Sequence, residues 1–414
     1  MKRYLIAVLI LALALPFSAS AQWYLFPGGR PAADSVSVAQ KPDSTAVTVK
    51  PENAVALDKT VPDSTAVAAV QDSTVTFTVF EDIADTTPVT RVSLILPLKS
   101  TGTPNSNFLD FYCGVLMAAD ALSTDEHRFR LDVYDSTVGL PSVEKLDSSE
   151  VIIGPVGLDD VEFLLPRMRG KYLISPLDPK VAPLTESYNI IQAPSGWEAQ
   201  ADELVRWLIE DLRGGDVVVL LQSPDEAASE LTNRIAARLG EYEIAYTIGS
   251  TPSAWEEGVE GSCRFIIASE NDEFCGAAVR EIALMNIRGG HNIVYSTSRI
   301  RSAGDLEVES LHAAAARITA SYYADSSDMA VRRFAENYME LFKAEPGQWA
   351  FQGYDLMNYF GSLAAKNPGL WHEELAATPG QGLQTDFSFD ATGKNNTAVR
   401  RLKYNANNTI SIIR

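Results

Sequence analysis

The side chains that could do chemistry are few and scattered in this sequence. Histidine occurs at His127, His291, His312 and His372. None has another metal-ligating residue type four positions away, the spacing that sets two zinc ligands on one helix face. Asp159-Asp160 and Glu256-Glu257 are adjacent carboxylates, and carboxylate pairs can do acid–base work. Each pair stands at an expected helix start, where acidic side chains meet the positive end of the helix dipole. His312 precedes the alanine run 313–316 and reads as a polar surface position. A Gly-x-Ser-x-Gly elbow, a phosphate-binding loop and a dinucleotide glycine fingerprint are all missing from the sequence. With no nucleophile, base and orienting group in sight, the expectation is a protein that is not an enzyme and takes neither cofactor nor metal.

The elements are more informative than the reactive residues. Val151-Ile152-Ile153 is a continuous apolar run that stops at Gly154-Pro155, a pair that strand interiors do not tolerate. From Asp159 to Arg169, Val161, Leu164, Leu165 and Met168 recur at helical spacing. Tyr172-Leu173-Ile174 is a second run, broken at Ser175-Pro176. Two strands joined by a crossover of this length are expected to be parallel neighbours, with ligands beyond their carboxyl ends.

The same grammar runs along the rest of the chain. A strand at Val92 to Leu96 precedes a helix from Ser106, whose apolar face carries Phe108, Phe111, Tyr112, Val115, Ala119 and Leu122. Gly114 is expected to let that helix approach the sheet. Phe129 to Tyr134 is a strand ending at Asp135, and only Val138 to Ser149 is left for the next crossover. A helix over Trp197 to Leu212 opens a second run: strands at Val217 to Leu221, Arg264 to Ala268 and Ile293 to Ser296, and helices at Glu226 to Leu239 and Asp272 to Ile287. Helices over Ser327 to Phe342 and Trp349 to Ala365 follow, with closing strands at Val399 to Tyr404 and Thr409 to Ile413. Two α/β runs call for two packed lobes.

These residues also carry a resemblance. Strand-Gly-Pro, helix, strand-Ser-Pro, then Pro-Leu-Thr at 183–185 and Gln-Ala-Pro-Ser at 192–195 with Gln200 behind, is similar to type I periplasmic binding proteins. Within that superfamily it resembles the branched-chain amino-acid-binding branch. The segment Ile318 to Tyr323, the Tyr354-Asp355 helix and the ending Gly382-Leu383-Gln384-Thr385-Asp386-Phe387 fit the same pattern, with Asp386 where a second glycine often sits. That ending and the strand Val399 to Tyr404 look closest to envelope relatives found joined to lysin-motif modules. The resemblance implies an α/β fold of two Rossmann-like lobes with parallel central sheets, hinged by three crossings near Ala193, Ser321 and Phe387. It covers about 91–414, with lobe 1 at about 91–192 and 320–385 and lobe 2 at about 193–319 and 386–414.

That fold places a cleft between the lobes. The expected first wall is Ser100, Thr101, Tyr134, Asp135, Val156, Gly157, Leu177 and Asp178; the second includes Gln222, Ser223, Ser269, Glu270, Ser296 and Tyr322. Asp135 and Asp178 are expected to face the gap. Amino-acid-binding members usually carry hydroxyl residues after the Gly-Pro and Ser-Pro turns. Here those positions read Val156-Gly157-Leu158 and Leu177-Asp178-Pro179, so donors are fewer and Asp178 would repel a carboxylate.

Composition bounds the partners. The chain has 414 residues and a formal net charge of −20, which disfavours nucleic acid and anionic lipid. Lys2 and Arg3, the apolar run Tyr4 to Leu15 and Ala19-Ser20-Ala21 read as a signal peptide over 1–21, too short to span a bilayer. Residues 22–90 read as an Asp/Ser/Thr/Pro-rich linker with few large side chains to bury, apart from a short strand around Val75 to Phe80. Its Asp-Ser-Thr tripeptides resemble an O-glycosylation signal of one group of Gram-negative bacteria, or are plain low complexity. Of Cys113, Cys263 and Cys275, the last two sit at different heights of a strand and its returning helix, so free thiols are expected. The expectation is a periplasmic or secreted, non-membrane-spanning protein. It holds a small molecule in its cleft, as substrate-binding proteins of ABC transporters do. The alternative is an envelope scaffold or regulator that binds a protein or a peptidoglycan-associated partner.

Overall fold

The computed structural model describes residues 87–413 other than 178, 226–228, 256–260 and 305. The signal peptide, the linker up to residue 86, the strand around Val75 to Phe80, Asp178 and the Glu256-Glu257 pair therefore lie outside the described residues; the linker's expected end at residue 90 is corrected, since the first strand already starts at Val89.

The first sheet is built from β1 (Val89–Leu96), β2 (Arg128–Asp135), β3 (Val151–Ile153), β4 (Leu173–Ser175) and β5 (Ile190–Gln192). Their order is β2-β1-β3-β4-β5 and every pairing is parallel. All residues of β3 are buried, as an unbroken apolar triplet covered by helices on both faces requires. The strand stops where Gly154 takes a φ of 97°, and a Cβ there would overlap the Ile95 carbonyl, so only glycine fits. Between the strands run α1 (Ser106–Leu122), α2 (Val143–Asp147) and α3 (Leu158–Leu164). Asn105 caps α1 by accepting from the Asn107 amide. The helix expected over Asp159 to Arg169 divides into α3 and a 3-10 turn at Leu165–Arg167, because Pro166 cannot donate to the α-helical ladder.

The second sheet follows from α4 (Trp197–Asp211), β6 (Val217–Leu221), α5 (Glu230–Glu241), β7 (Tyr246–Gly249), β8 (Cys263–Ile267), α6 (Asp272–Ile287), β9 (Ile293–Thr297), α7 (Val308–Ala313) and β10 (Arg317–Ala320). The chain then makes α8 (Met329–Phe342), α9 (Gln348–Lys366), a small β11 (Gly380–Gln381) and β12 (Asp386–Phe387) pair, and the hairpin of β13 (Arg400–Tyr404) and β14 (Ile410–Ile413). Sheet order is β14-β13-β10-β9-β8-β6-β7. Strands β6 to β10 are mutually parallel, and β13 pairs antiparallel with β10. Helix α5 starts at Glu230 under a Ser229 cap; the expected start at Glu226 lies outside the described residues. Strand β7 was not expected: it is a short edge strand with Thr247 and Ile248 exposed, so it lacks the apolar run that marks its buried neighbours.

The two lobes are thus two Rossmann-like units, and late helices complete the first. Leu356, Met357, Phe360 and Leu363 of α9 join Leu94, Phe111, Val115 and Leu131 in one core. Gly114 corrects an expectation. It admits not the sheet but α9, since a Cβ there would lie 2.9 Å from the Tyr354 amide nitrogen and overlap the Ala350 carbonyl. Phe387 and Phe389 also belong to the first core, so the last return to the second sheet runs between Asp390 and Arg400. His312 is a second correction. It is buried rather than at the surface, its Nδ1 is 2.7 Å from the Asn405 carbonyl oxygen, and its ring lies against Tyr404. All the cysteines are free, with Cys263 and Cys275 buried and Cys113 half-buried. No helix among the described residues is long and apolar enough to cross a membrane.

Candidate functional site

Three sets of hydrogen bonds mark a seam at the carboxyl ends of the sheets: one inside the second lobe, one inside the first, and one where the crossings join them. Helix α4 leaves β5 directly, and Gln200 in its first turns accepts a hydrogen bond from Ser298 Oγ at 2.9 Å, just past β9. The Gln200 carbonyl accepts from Thr319 Oγ1 on β10 at 3.0 Å. From the first lobe, Gln352 on α9 donates to the Pro176 carbonyl past β4 at 3.2 Å. Its Oε1 accepts from Gln384 Nε2 at 3.1 Å and Thr385 Oγ1 at 2.7 Å. Tyr323, just past β10, donates its backbone N–H to the Gln384 carbonyl at 2.8 Å. The first and last crossings also run side by side. Gln192 donates its N–H to the Lys394 carbonyl at 2.8 Å, and Asn396 donates its N–H back to Gln192 at 3.1 Å.

Two charged side chains hold this seam. The Asp355 carboxylate accepts the backbone N–H groups of Leu383, Gln384 and Thr385 at 2.7, 2.8 and 2.9 Å. Burial pushes its carboxyl up to about 6, against the pull of those amides and of Arg400. Arg400, at the start of β13, donates to the carbonyls of Tyr323, Leu383 and Gly382 and bidentately to Asp386. Sequence reading missed this pair of anchors. A signal was present in Asp386, which stands where the resembled pattern often has glycine and turns out to be the partner of Arg400.

The first wall is less available than its residue types suggest. Asp135 is buried. It accepts from the amides of Leu98, Ser100 and Thr137 at 3.0, 2.7 and 3.0 Å and from the hydroxyls of Ser100 and Thr137 at 2.6 and 2.8 Å. Burial raises its pKa, but the Ser100 and Thr137 donors outweigh that and hold it at about 2. The carboxylate expected to face the gap is therefore spent on fixing the β1–α1 loop. Tyr134 is also turned away. It is buried in the core under α2 and α3 with Leu146, Ile152 and Val161, because alternate residues of a strand point to opposite faces. Val156 and Leu177 are half-buried against the first core. Ser100, Thr101 and Gly157 are exposed at the rim.

The second wall divides the same way. Ser296 is buried and donates to the Ile267 carbonyl at 2.8 Å. Ser269 is buried and its Oγ accepts from the Asn271 amide at 3.1 Å. Ser223 is buried as well. Gln222 and Tyr322 are half-buried and Glu270 is exposed. Burial pushes the Tyr322 hydroxyl up, although Arg301 acts the other way. Sequence reading did not single out Arg299 and Arg301, which the 3-10 turn after β9 brings to this wall. Arg299 donates to the Glu270 carbonyl at 2.6 Å and Arg301 lies over the Tyr323 ring. No cluster of three or more His, Cys, Asp or Glu residues fit for a metal occurs among the described residues. His127 contacts Thr90 and His372 stacks on Tyr172, both away from the seam.

The seam carries rim hydroxyls, an amide, a carboxylate and a half-buried phenol, on walls fixed by their own hydrogen bonds. No protein-family model and no curated protein sequence matches the chain. Among solved structures it is similar to a branched-chain amino acid ABC transporter protein from Rhodospirillum rubrum. The TM-score is 0.56 at 15% identity, over 78% of this chain and 100% of that one. It is also similar to a branched-chain amino acid ABC transporter periplasmic ligand-binding protein from Burkholderia xenovorans. There the TM-score is 0.51 at 11% identity, over 78% of this chain and 94% of that one. The chain therefore has the two-lobed fold of type I periplasmic binding proteins. At such identity the likeness speaks for fold, and function must be argued from the site.

Proposed function

We propose that this chain is an exported, non-catalytic binding protein of the periplasm that takes a small ligand in the cleft between its lobes. The observation that carries the reading is the convergence of parallel strand ends. The carboxyl end of β5 reaches the last crossing through Gln192 and Lys394, and the carboxyl end of β10 reaches the first lobe through Tyr323 and Gln384. In parallel sheets this is where ligands bind. Glu270 and Tyr322 on one side and Thr101 and Gly157 on the other are the exposed or half-buried groups that would meet a ligand, with Gln222 and Ser100 beside them. Asp178 belongs with them by sequence. A thermal-shift screen of wall fragments, peptides and sugars tests it. The expected result is a compound that raises the melting temperature of the wild type and not of Tyr322→Ala. A compound that stabilises both equally binds elsewhere and overturns the reading.

A second reading, an envelope scaffold or regulator that binds a protein or peptidoglycan-linked partner, is favoured by one specific observation. The polar groups best placed to hold a small solute, Asp135, Ser269 and Ser296, are hydrogen-bonded to the protein itself. What stays exposed lies at the rim, where a larger partner would touch it. Site-specific photocrosslinking from Thr101 and Glu270 separates the two readings: a defined protein or wall adduct is expected only of the scaffold.

A further inference from the structure

We propose that Arg400 is a latch that holds the two lobes at one angle. Arg400 stands where the last crossing enters the second sheet, opposite Ala320 in the β10–β13 pairing. It is 4% exposed. Its Nη1 donates to the Tyr323 carbonyl at 2.6 Å and the Leu383 carbonyl at 3.0 Å. Nη2 donates to the Gly382 carbonyl at 2.7 Å and Asp386 Oδ1 at 2.6 Å, and Nε donates to Asp386 Oδ2 at 3.1 Å. A guanidinium has five N–H donors in a rigid planar fork, so every donor is used.

The acceptors matter as much as the donor. Tyr323 belongs to the second crossing. Residues 382–386 lie on the first-lobe side, where Asp355 grips the amides of Leu383, Gln384 and Thr385. The Asp355 carboxylate and the Arg400 guanidinium therefore hold one loop from opposite sides, the first through its N–H groups and the second through its carbonyls. A rotation of the lobes would move that loop away from β13. Because the fork is planar and its partners are set, a small rotation spoils several bonds together and leaves a buried guanidinium without acceptors, an arrangement proteins avoid. The joint consequently has one preferred setting. This proposal concerns the joint and rests on neither reading of the cleft.

The test is a distance measurement by electron spin resonance on the full chain in a Cys113→Ser background. Spin labels are placed on cysteines at exposed Asp125 in the first lobe and Leu284 in the second. With Arg400 intact, one narrow distance is expected. Arg400→Lys keeps the charge but not the fork, and Arg400→Met removes both. Each is expected to add a second distance or broaden the first, with a minor population of at least about a tenth. Asp386→Asn, which loses the bidentate partner while leaving the guanidinium, is expected to broaden it less, and it carries the test if the Arg400 variants do not melt cooperatively. Two distances in the wild type, or an unchanged distribution in every folded variant, overturns the proposal.

Discussion

Gly114 on α1 and Gly353 on α9 press into each other's backbone. A Cβ on Gly114 would lie 2.8 Å from the Ala350 carbonyl carbon, and one on Gly353 would lie 3.0 Å from that of Phe111. The helices are far apart in sequence, yet each offers a glycine where the other's main chain passes, so their axes close to a distance no side chain permits.

Gly114→Ala and Gly353→Ala are each expected to destabilise the protein by about 1–3 kcal/mol, because the clash is with backbone that cannot rotate away. Urea melts measure this. The double variant is expected to cost less than the sum, since one separation of the helices relieves both clashes.

Asp135→Asn is expected to cost roughly 2 kcal/mol at neutral pH, by leaving loop amides without their acceptor. The pH dependence has a definite sign. The pKa is held at about 2, below the ordinary 3.8. Its contribution is therefore present above the ordinary carboxylate range and lost as pH falls through about 2. The stability gap between wild type and variant should narrow across that window, as read from melts at successive pH values.

Asp355 titrates with the opposite sense. Burial raises its pKa from 3.8 to about 6. Its favourable term is complete below the unfolded value and disappears as pH rises through about 6. The wild type is expected to lose stability across that interval relative to Asp355→Asn, whose side chain does not titrate.

Calorimetry with free leucine, isoleucine and valine is expected to show no binding tighter than about 1 mM, roughly −4 kcal/mol. Val156 and Leu177 stand on the first wall and pack against its core, while Ser269 and Ser296 are engaged with backbone. Micromolar affinity for any of the three would show that the walls rearrange to free donors.

Much of the fold was legible because the strands are short, apolar and punctuated. Val151-Ile152-Ile153 before Gly154-Pro155 could be little else, and the helix Asp272 to Ile287 falls where its periodicity puts it. The edge strand β7 escaped notice because an edge needs no apolar run. The site was less legible. Residue type marks Asp135 and Tyr134 as polar groups at a strand end, but the face each side chain takes and what already bonds it depend on loops packed from elsewhere. Arg400 shows the same limit from the other side. It sits in an ordinary strand, and its five acceptors come from Tyr323, Gly382, Leu383 and Asp386, residues that no sequence window holds together.

The late position of α9, β13 and β14 bears on how the molecule can be made. The first core waits for Leu356 to Leu363, and the second sheet waits for β13, which pairs with β10 only from Arg400 onward. A growing chain therefore has no finished lobe until α9 and the residues up to Phe389 have been synthesised for the first, and β13 for the second. Fragments cut at the apparent boundary near residue 192 would carry a first sheet without α9, the helix that closes its core.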